Sequence, residues 1–222
     1  MTLDVTTKDC TQLSDSELAE MADLSAEAAS RYEVGTLSKQ AEAWVLVTLV
    51  REGTKLRGFS FSTLERIGGT PAIVMGLASV QRSAKRDPVL KAVMSDNFRR
   101  ALMAFPDEDV LLGVRMRQPD GFEAFKVLTD IIPRPGHKAT GEERAWGRRL
   151  SKRYGIDGSY DDQTFLVIGD NSYPLVMDHE SLKRETIDPD VAKLFKAVRL
   201  KRGDSLICFG WIMAEELLKY AR

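Results

Sequence analysis

The chain has 222 residues, 43% hydrophobic and 29% charged, which is enough for one well-filled core, so one domain with an extension is the expected arrangement. Thirty-two Lys and Arg against 33 Asp and Glu leave a formal charge of -1, so no global field draws the protein to nucleic acid or to an anionic membrane, and any anion site must be local. Two cysteines and two histidines exclude a disulfide framework and argue against a dedicated zinc site.

The first ten residues hold no apolar leader, and no run approaches the ~20 apolar residues of a membrane span; a soluble, cytoplasmic protein is expected. Ser14-Asp15-Ser16-Glu17 fits a capping box, and Leu18, Met21, Ala22, Leu24 and Ala28 or Ala29 recur at helical spacing. That helix should stop near Val34-Gly35, with a short helical turn over Ser38–Ala43. Trp44–Val50 is β-branched and continuous, as in a strand buried on both faces. A hairpin turn around Gly53 then leads to an alternating strand, Leu56–Leu64, and Gly68-Gly69-Thr70-Pro71 leads to a third strand, Ala72–Val80. Short links make these three an antiparallel meander.

After a basic turn, Gln81–Arg86, Asp87 is placed as an N-cap and Pro88 in the first turn of a helix. Val89, Leu90, Val93, Met94, Phe98, Ala101, Leu102 and Phe105 form its apolar stripe. Val110–Met116 returns as a strand, so a parallel pair with Ala72–Val80 is expected. Phe122–Ile132 reads as a second crossover helix. Beyond Gly136 a polar excursion carries a charged helix, Glu142–Tyr154, followed by strands at Gln163–Ile168 and Ser205–Ile212, a helix between Asp190 and Leu200, and a terminal helix, Ala214–Arg222.

The basic turn runs into a helix N-terminus, where free N–H groups and a partial positive charge favour an anion. Between Arg82 and Arg100 six basic residues face two acidic ones, a local excess of four charges. An N-terminal helix, a meander, then strand, basic turn, long helix, strand and helix resembles the GNAT superfamily of acyl-CoA-dependent N-acyltransferases, over residues 13–132. The resemblance implies an α/β (α+β) fold with a mixed, mostly antiparallel central sheet flanked by helices. Residues 1–135 would then be the acyl-CoA-binding core, and 136–222 would complete the same domain. It implies acetyl-CoA or another acyl-CoA as co-substrate and a primary amine on a small molecule or peptide as acceptor.

In that family pantetheine lies between the fourth and fifth strands, here Ala72–Val80 and Val110–Met116, and a turn of pattern Gln/Arg-x-x-Gly-x-Gly/Ala wraps the pyrophosphate with main-chain amides. The implied cofactor-binding residues are Leu77, Ala78, Ser79, Val80, Gln81, Arg82, Ser83, Ala84, Lys85 and Arg86, with Gln118 and Phe125 beyond the fifth strand. The turn departs from the pattern: Ala84 and Arg86 stand where small residues permit close backbone approach, so Arg82, Lys85 and Arg86 are expected to hold phosphate with side-chain charge. Phe125 stands where the family often carries a proton-donating Tyr, and Phe has no proton to give; Tyr154 and Tyr160 lie in the excursion and could reach the site.

Attack on a thioester needs a neutral amine and a group to take its proton. Glu65 is the candidate catalytic carboxylate, set against a solvated role beside the Gly-Gly turn. His137 and His179 have suitable chemistry but sit in polar segments. Phe59 and Phe61 share a strand face and read as core, Trp146 among arginines as part of an amphipathic surface helix, and Cys208 as an inert buried thiol. Three readings follow: an N-acyltransferase, a catalytically inactive GNAT-like ligand- or protein-binding module, and a nucleic-acid-binding protein using the basic helix. A homodimer is compatible with each.

Overall fold

The computed structural model describes residues 2–28 and 31–221. It opens with a strand, β1 (Leu3–Asp9), where none is expected. Its residues are mostly polar, so hydrophobic alternation is weak; it forms by pairing antiparallel with β2 (Leu46–Glu52) along its whole length. The capping box begins α1 (Asp15–Ala26): Ser14 Oγ accepts from the Glu17 amide at 3.3 Å, and Glu17 Oε2 accepts from the Ser14 amide at 2.9 Å. This helix ends earlier than expected, and Val34-Gly35 begins a new one, α2 (Val34–Ala43), instead of closing the first. Ala29 lies outside the described residues.

The meander forms as expected from β2, β3 (Lys55–Ile67) and β4 (Thr70–Val80). Gly53, with φ 60°, takes the left-handed conformation that the first hairpin turn requires. The expected long helix is α3 (Arg86–Ala104), which buries Val89, Leu90, Val93, Met94 and Phe98 against the sheet. Its N-cap is Lys85, one correction to the sequence reading: Asp87 lies inside the first turn and its Oδ1 accepts from the Leu182 amide at 3.2 Å. β5 (Val110–Met116) pairs parallel with β4 over Ala72–Val74 and Leu111–Gly113.

A second correction concerns Phe122–Ile132, which is not a crossover helix. Pro119–Phe125 is a 3-10 segment, and Thr129–Ile132 is β6, paired antiparallel with β10 (Ser205–Ile212). The β-branched Thr129, Ile131 and Ile132 suit the edge that β10 offers. Between β6 and β10 the chain runs through α4 (Gly141–Arg153), three short strands that rejoin the sheet, β7 (Tyr160–Asp161), β8 (Leu166–Val167) and β9 (Met177–Asp178), and α5 (Pro189–Leu194). The strand expected over Gln163–Ile168 is therefore two residues of a β7–β8 hairpin, and the helix expected up to Leu200 stops at Leu194 and continues as 3-10 turns. The end of the chain is α6 (Ala214–Leu217) and a 3-10 turn, Leu218–Tyr220; Arg222 lies outside the described residues.

The strands form one mixed, mostly antiparallel sheet in the order β1-β2-β3-β4-β9-β5-β10-β8-β7, with β6 on β10. Two cores cover its faces. Val110, Leu112, Val114 and Met116 of β5 join the α3 side; Leu111 joins the core shared with α1, α2 and α4. Alternation puts Arg115 on that second face.

Candidate functional site

β4 and β5 are hydrogen-bonded neighbours only at one end. Opposite Phe61, β4 carries an extra residue: Ser62 pairs with Met75 and Ser60 with Ala78, so Gly76 and Leu77 form a bulge. Gly76 is needed there, because a Cβ would lie 2.3 Å from Trp44 Cε2. From this bulge to the turn the two strands splay apart. The opening is the place that the resemblance assigns to pantetheine.

The chain itself fills it. β9 lies between the splayed strands, with Met177 beside both Ala78 and Met116 and Asp178 beside Ser79, all in parallel register. The Ala78 amide donates to the Val176 carbonyl at 3.2 Å. Met177 is 3% exposed and packs in the α3-side core. Ahead of this strap Tyr32 Oη donates to the Pro174 carbonyl at 3.0 Å; behind it the Ser181 amide donates to Asp120 Oδ1 at 2.8 Å. Of the cleft residues, Leu77, Ala78 and Val80 are buried apolar groups, and Ser79 Oγ is buried with no hydrogen-bond partner among the described residues.

The basic turn faces the same strap. Arg82 Nη2 donates to Asp178 Oδ1 at 2.6 Å, and its Nε lies 3.3 Å from Glu180 Oε2. Arg86 Nε donates to the Glu180 carbonyl at 2.5 Å, with Nη2 3.7 Å from Glu180 Oε1. Lys85 turns away to Glu52, which also receives Arg57 Nη2 at 2.7 Å; Arg57 Nη1 donates to Gln81 Oε1 at 2.6 Å. The Lys85 ammonium and the Arg57 guanidinium hold the Glu52 carboxyl below its ordinary range.

None of Gln81–Arg86 has a positive φ, so Ala84 sits there without strain. The amides are used internally: Ser83 N on the Gln81 carbonyl, Lys85 N on Ser83 Oγ, Arg86 N on the Ser83 carbonyl. In this arrangement the turn does not fit a pyrophosphate, nor does the cleft fit pantetheine. The strap supplies an extended chain and two carboxylates in their stead.

The arginines of α3 are paired as well. Arg99 and Arg100 both clamp Asp96, at 2.7 Å each. What stays open is a groove of about 840 Å³ between α3 and the 3-10 segment, walled by Leu90, Met94, Phe98 and Val127, with Lys91 and Lys183 on its rim.

The remaining candidates are dispersed. Glu65 Oε1 accepts from Arg153 Nε of α4 at 2.5 Å, and that guanidinium also lies over the Trp44 ring at 4.8 Å. Glu65 pairs with Ala72 in register, about 13 Å along β4 from the bulge. Tyr154 is nearer: its Oη donates to the Met75 carbonyl at 2.9 Å, and burial raises its pKa, so the phenol stays protonated. Tyr160 lies on the far hairpin against Phe165. Phe125 is 1% exposed and packs on Phe122 in the core; Gln118 caps the 3-10 segment. Phe59 and Phe61 are core residues in edge contact.

His137 bonds Glu143 at 2.8 Å. His179 is buried within the strap, not in a solvated loop: Nε2 lies 3.3 Å from Asp87 Oδ1, and neither ring nitrogen is hydrogen-bonded among the described residues. Burial holds its pKa below the ordinary value, with Asp87 pulling it upward. Trp146 is buried, not at the surface, and carries Arg149 on its ring at 4.6 Å. Cys208 is buried, with its pKa raised by desolvation. The strap is what sequence reasoning missed; its signal is only a short apolar run, Leu175–Met177, followed by Asp178 and Glu180.

No family model and no curated protein matches the chain. Among solved structures it is similar to the ribosomal-protein-S18-alanine N-acetyltransferase of Escherichia coli, at 12% identity and a TM-score of 0.44 over 95% of each chain. Aminoglycoside 6'-acetyltransferase type Ii is 12% identical over 59% of this chain and 86% of that one, with a TM-score of 0.41. A GNAT-family acetyltransferase of Bacillus cereus is 10% identical over 60% and 88%, with a TM-score of 0.40. The meander, the crossover helix and a fourth and fifth strand that begin parallel and then splay give the mixed, mostly antiparallel α/β fold that the resemblance implies.

Proposed function

We propose that this chain is a latent N-acyltransferase of GNAT type, whose donor cleft is closed by the strap Leu175–Glu180 and accepts acyl-CoA when the strap withdraws. One observation carries this reading: the strap sets an extended chain with Met177 between β4 and β5 and places the carboxylates of Asp178 and Glu180 on Arg82 and Arg86. A cleft that holds a narrow chain followed by two negative charges retains the complementarity that pantetheine and pyrophosphate call for. Exposing Met177 costs about 2 kcal/mol, a quantity that a well-fitting ligand offsets. Glu65 and Tyr154 are two ionisable groups on the sheet face across from α3: Glu65 is the proton acceptor for an amine once its pair with Arg153 opens, and Tyr154 holds a phenolic proton beside the bulge.

Calorimetric titration of acetyl-CoA and a longer acyl-CoA into the wild type and into Met177→Gly/Asp178→Asn/Glu180→Gln tests it. The triple variant is expected to bind at least about tenfold more tightly than the wild type and to release thiol in the presence of an amine panel. Absence of binding to both folded proteins sinks the proposal.

A second reading is a non-catalytic module in which the strap permanently replaces the donor. It is favoured by Phe125, which offers no hydroxyl, and by the closed Glu65–Arg153 pair. Binding by the triple variant without thiol release supports this reading over the first.

A further inference from the structure

Away from the strap, between β6 and the β7–β8 hairpin, lies a pocket of about 370 Å³ that shares no lining residue with the α3 groove. Its wall is apolar, with Ile132 and Phe165 from the second core, and its rim is basic, with Arg134, His137, Lys138 and Arg144. The basic groups are poorly matched. Arg134 reaches Asp130 only at 3.4 Å and Glu143 at 3.8 Å. The side chains of Lys138 and Arg144 have no hydrogen bond or ion pair among the described residues, and Arg144 Nε is buried without a partner.

Glu143 is already occupied by the Thr140 amide at 2.6 Å and by His137 at 2.8 Å. The carboxylates of the hairpin are also engaged: Asp161 Oδ2 with Thr164 Oγ1 at 2.7 Å, Asp162 with Gln163 and Arg148. Three strong cations thus line one small cavity, with no carboxylate closer than 3.4 Å to any of them among the described residues. Like charges gathered around a half-buried space repel one another, and an anion placed among them removes that repulsion and satisfies the unused donors.

We propose that this pocket binds a small phosphate monoester, its phosphate among Arg134, Lys138 and Arg144 and a flat body against the half-buried Pro133, Ala139 and Leu194. The volume exceeds what inorganic phosphate needs, and the apolar wall suits a ring. The proposal is independent of the acyl-CoA reading, because no residue of the strap or the basic turn takes part in it.

Calorimetry at low ionic strength with inorganic phosphate, adenosine monophosphate and adenosine tests it on the full chain. The monophosphate is expected to bind more tightly than phosphate, and adenosine not at all. Lys138→Gln/Arg144→Gln, checked for an unchanged melting curve, should weaken monophosphate binding at least about tenfold, while Lys91→Gln in the α3 groove leaves it unchanged. The proposal falls if neither phosphate nor the monophosphate binds the wild type, if the double variant retains affinity within about twofold, or if Lys91→Gln weakens binding as much as the double variant does.

Discussion

Arg82 Nη2 and Asp178 Oδ1 meet at 2.6 Å across the mouth of the β4–β5 opening, joining segments 96 residues apart in sequence. The pair is mostly buried, and Glu180 adds a second carboxylate to the same guanidinium.

Asp178→Asn keeps the shape of the side chain and removes its charge, leaving Arg82 short of a counter-ion in a half-dry site. A loss of about 1–3 kcal/mol is expected in urea denaturation. Amide exchange at Val176–Ser181 should quicken more than exchange in β3 or β5. Equal protection throughout contradicts the view that this pair latches the strap.

Gly76→Ala puts a methyl into the Trp44 ring, 2.3 Å from Cε2. The indole is fixed by its Nε1 donation to Gln40 Oε1 at 3.0 Å and by Arg153 on its face, so it yields little. Destabilisation of about 1–3 kcal/mol is expected, with partial recovery in Gly76→Ala/Trp44→Leu. A fully stable single variant shows that the bulge is free to move.

Two of the shifted groups bear on the response to acid in different ranges. The Arg202 guanidinium holds Asp204 down at about 2, against the ordinary carboxylate value of 3.8, with the Gly169 and Arg199 amides adding to it. A lowered folded-state pKa stabilises above the unfolded value and is lost as pH falls through the folded one. Between pH 4 and 2 this amounts to about 2 kcal/mol, and Asp204→Asn should lack it.

His179 acts at milder pH. Burial holds its folded pKa below the ordinary value of 6.5, so both states are largely neutral above that value. Below it the released or unfolded ring takes up a proton first and the native state loses ground. Strap protection, taken relative to the intrinsic exchange rate at each pH, should therefore fall as pH drops below 6.5, and His179→Gln should flatten that dependence.

Tyr154→Phe removes the donor to the Met75 carbonyl, for a stability loss of about 1 kcal/mol. If the phenol serves transfer, kcat of the strap-released variant falls on the order of 10²-fold while acyl-CoA affinity holds. An unchanged kcat removes Tyr154 from the chemistry.

The sheet core was legible because apolar pattern reports burial: Val89 to Phe105 shows its buried face by spacing, and Ala72 to Val80 reads as a continuous buried strand, without telling which residue takes which face past the bulge. β1 escaped because pairing with β2, not apolar alternation, makes it a strand. Thr129–Ile132 reads equally as helix or strand until β10 offers an edge. The order of strand, basic turn and helix at 72–104 was visible, but the occupant of the opening was not. Nothing local in Met177-Asp178 distinguishes a strap from a surface loop; its partners lie near residues 78, 82 and 116.

Tethered through the connection between β6 and β10, the strap is a ligand that never diffuses away. Its effective concentration is on the order of millimolar and does not fall on dilution. Any free molecule that enters the opening competes with it intramolecularly, and its apparent Kd is the intrinsic value divided by the fraction of chains with the strap out. A weak affinity measured on the intact chain therefore reports chiefly how firmly Asp178 and Glu180 hold Arg82 and Arg86, and the intrinsic strength of the opening is read only when those contacts are broken.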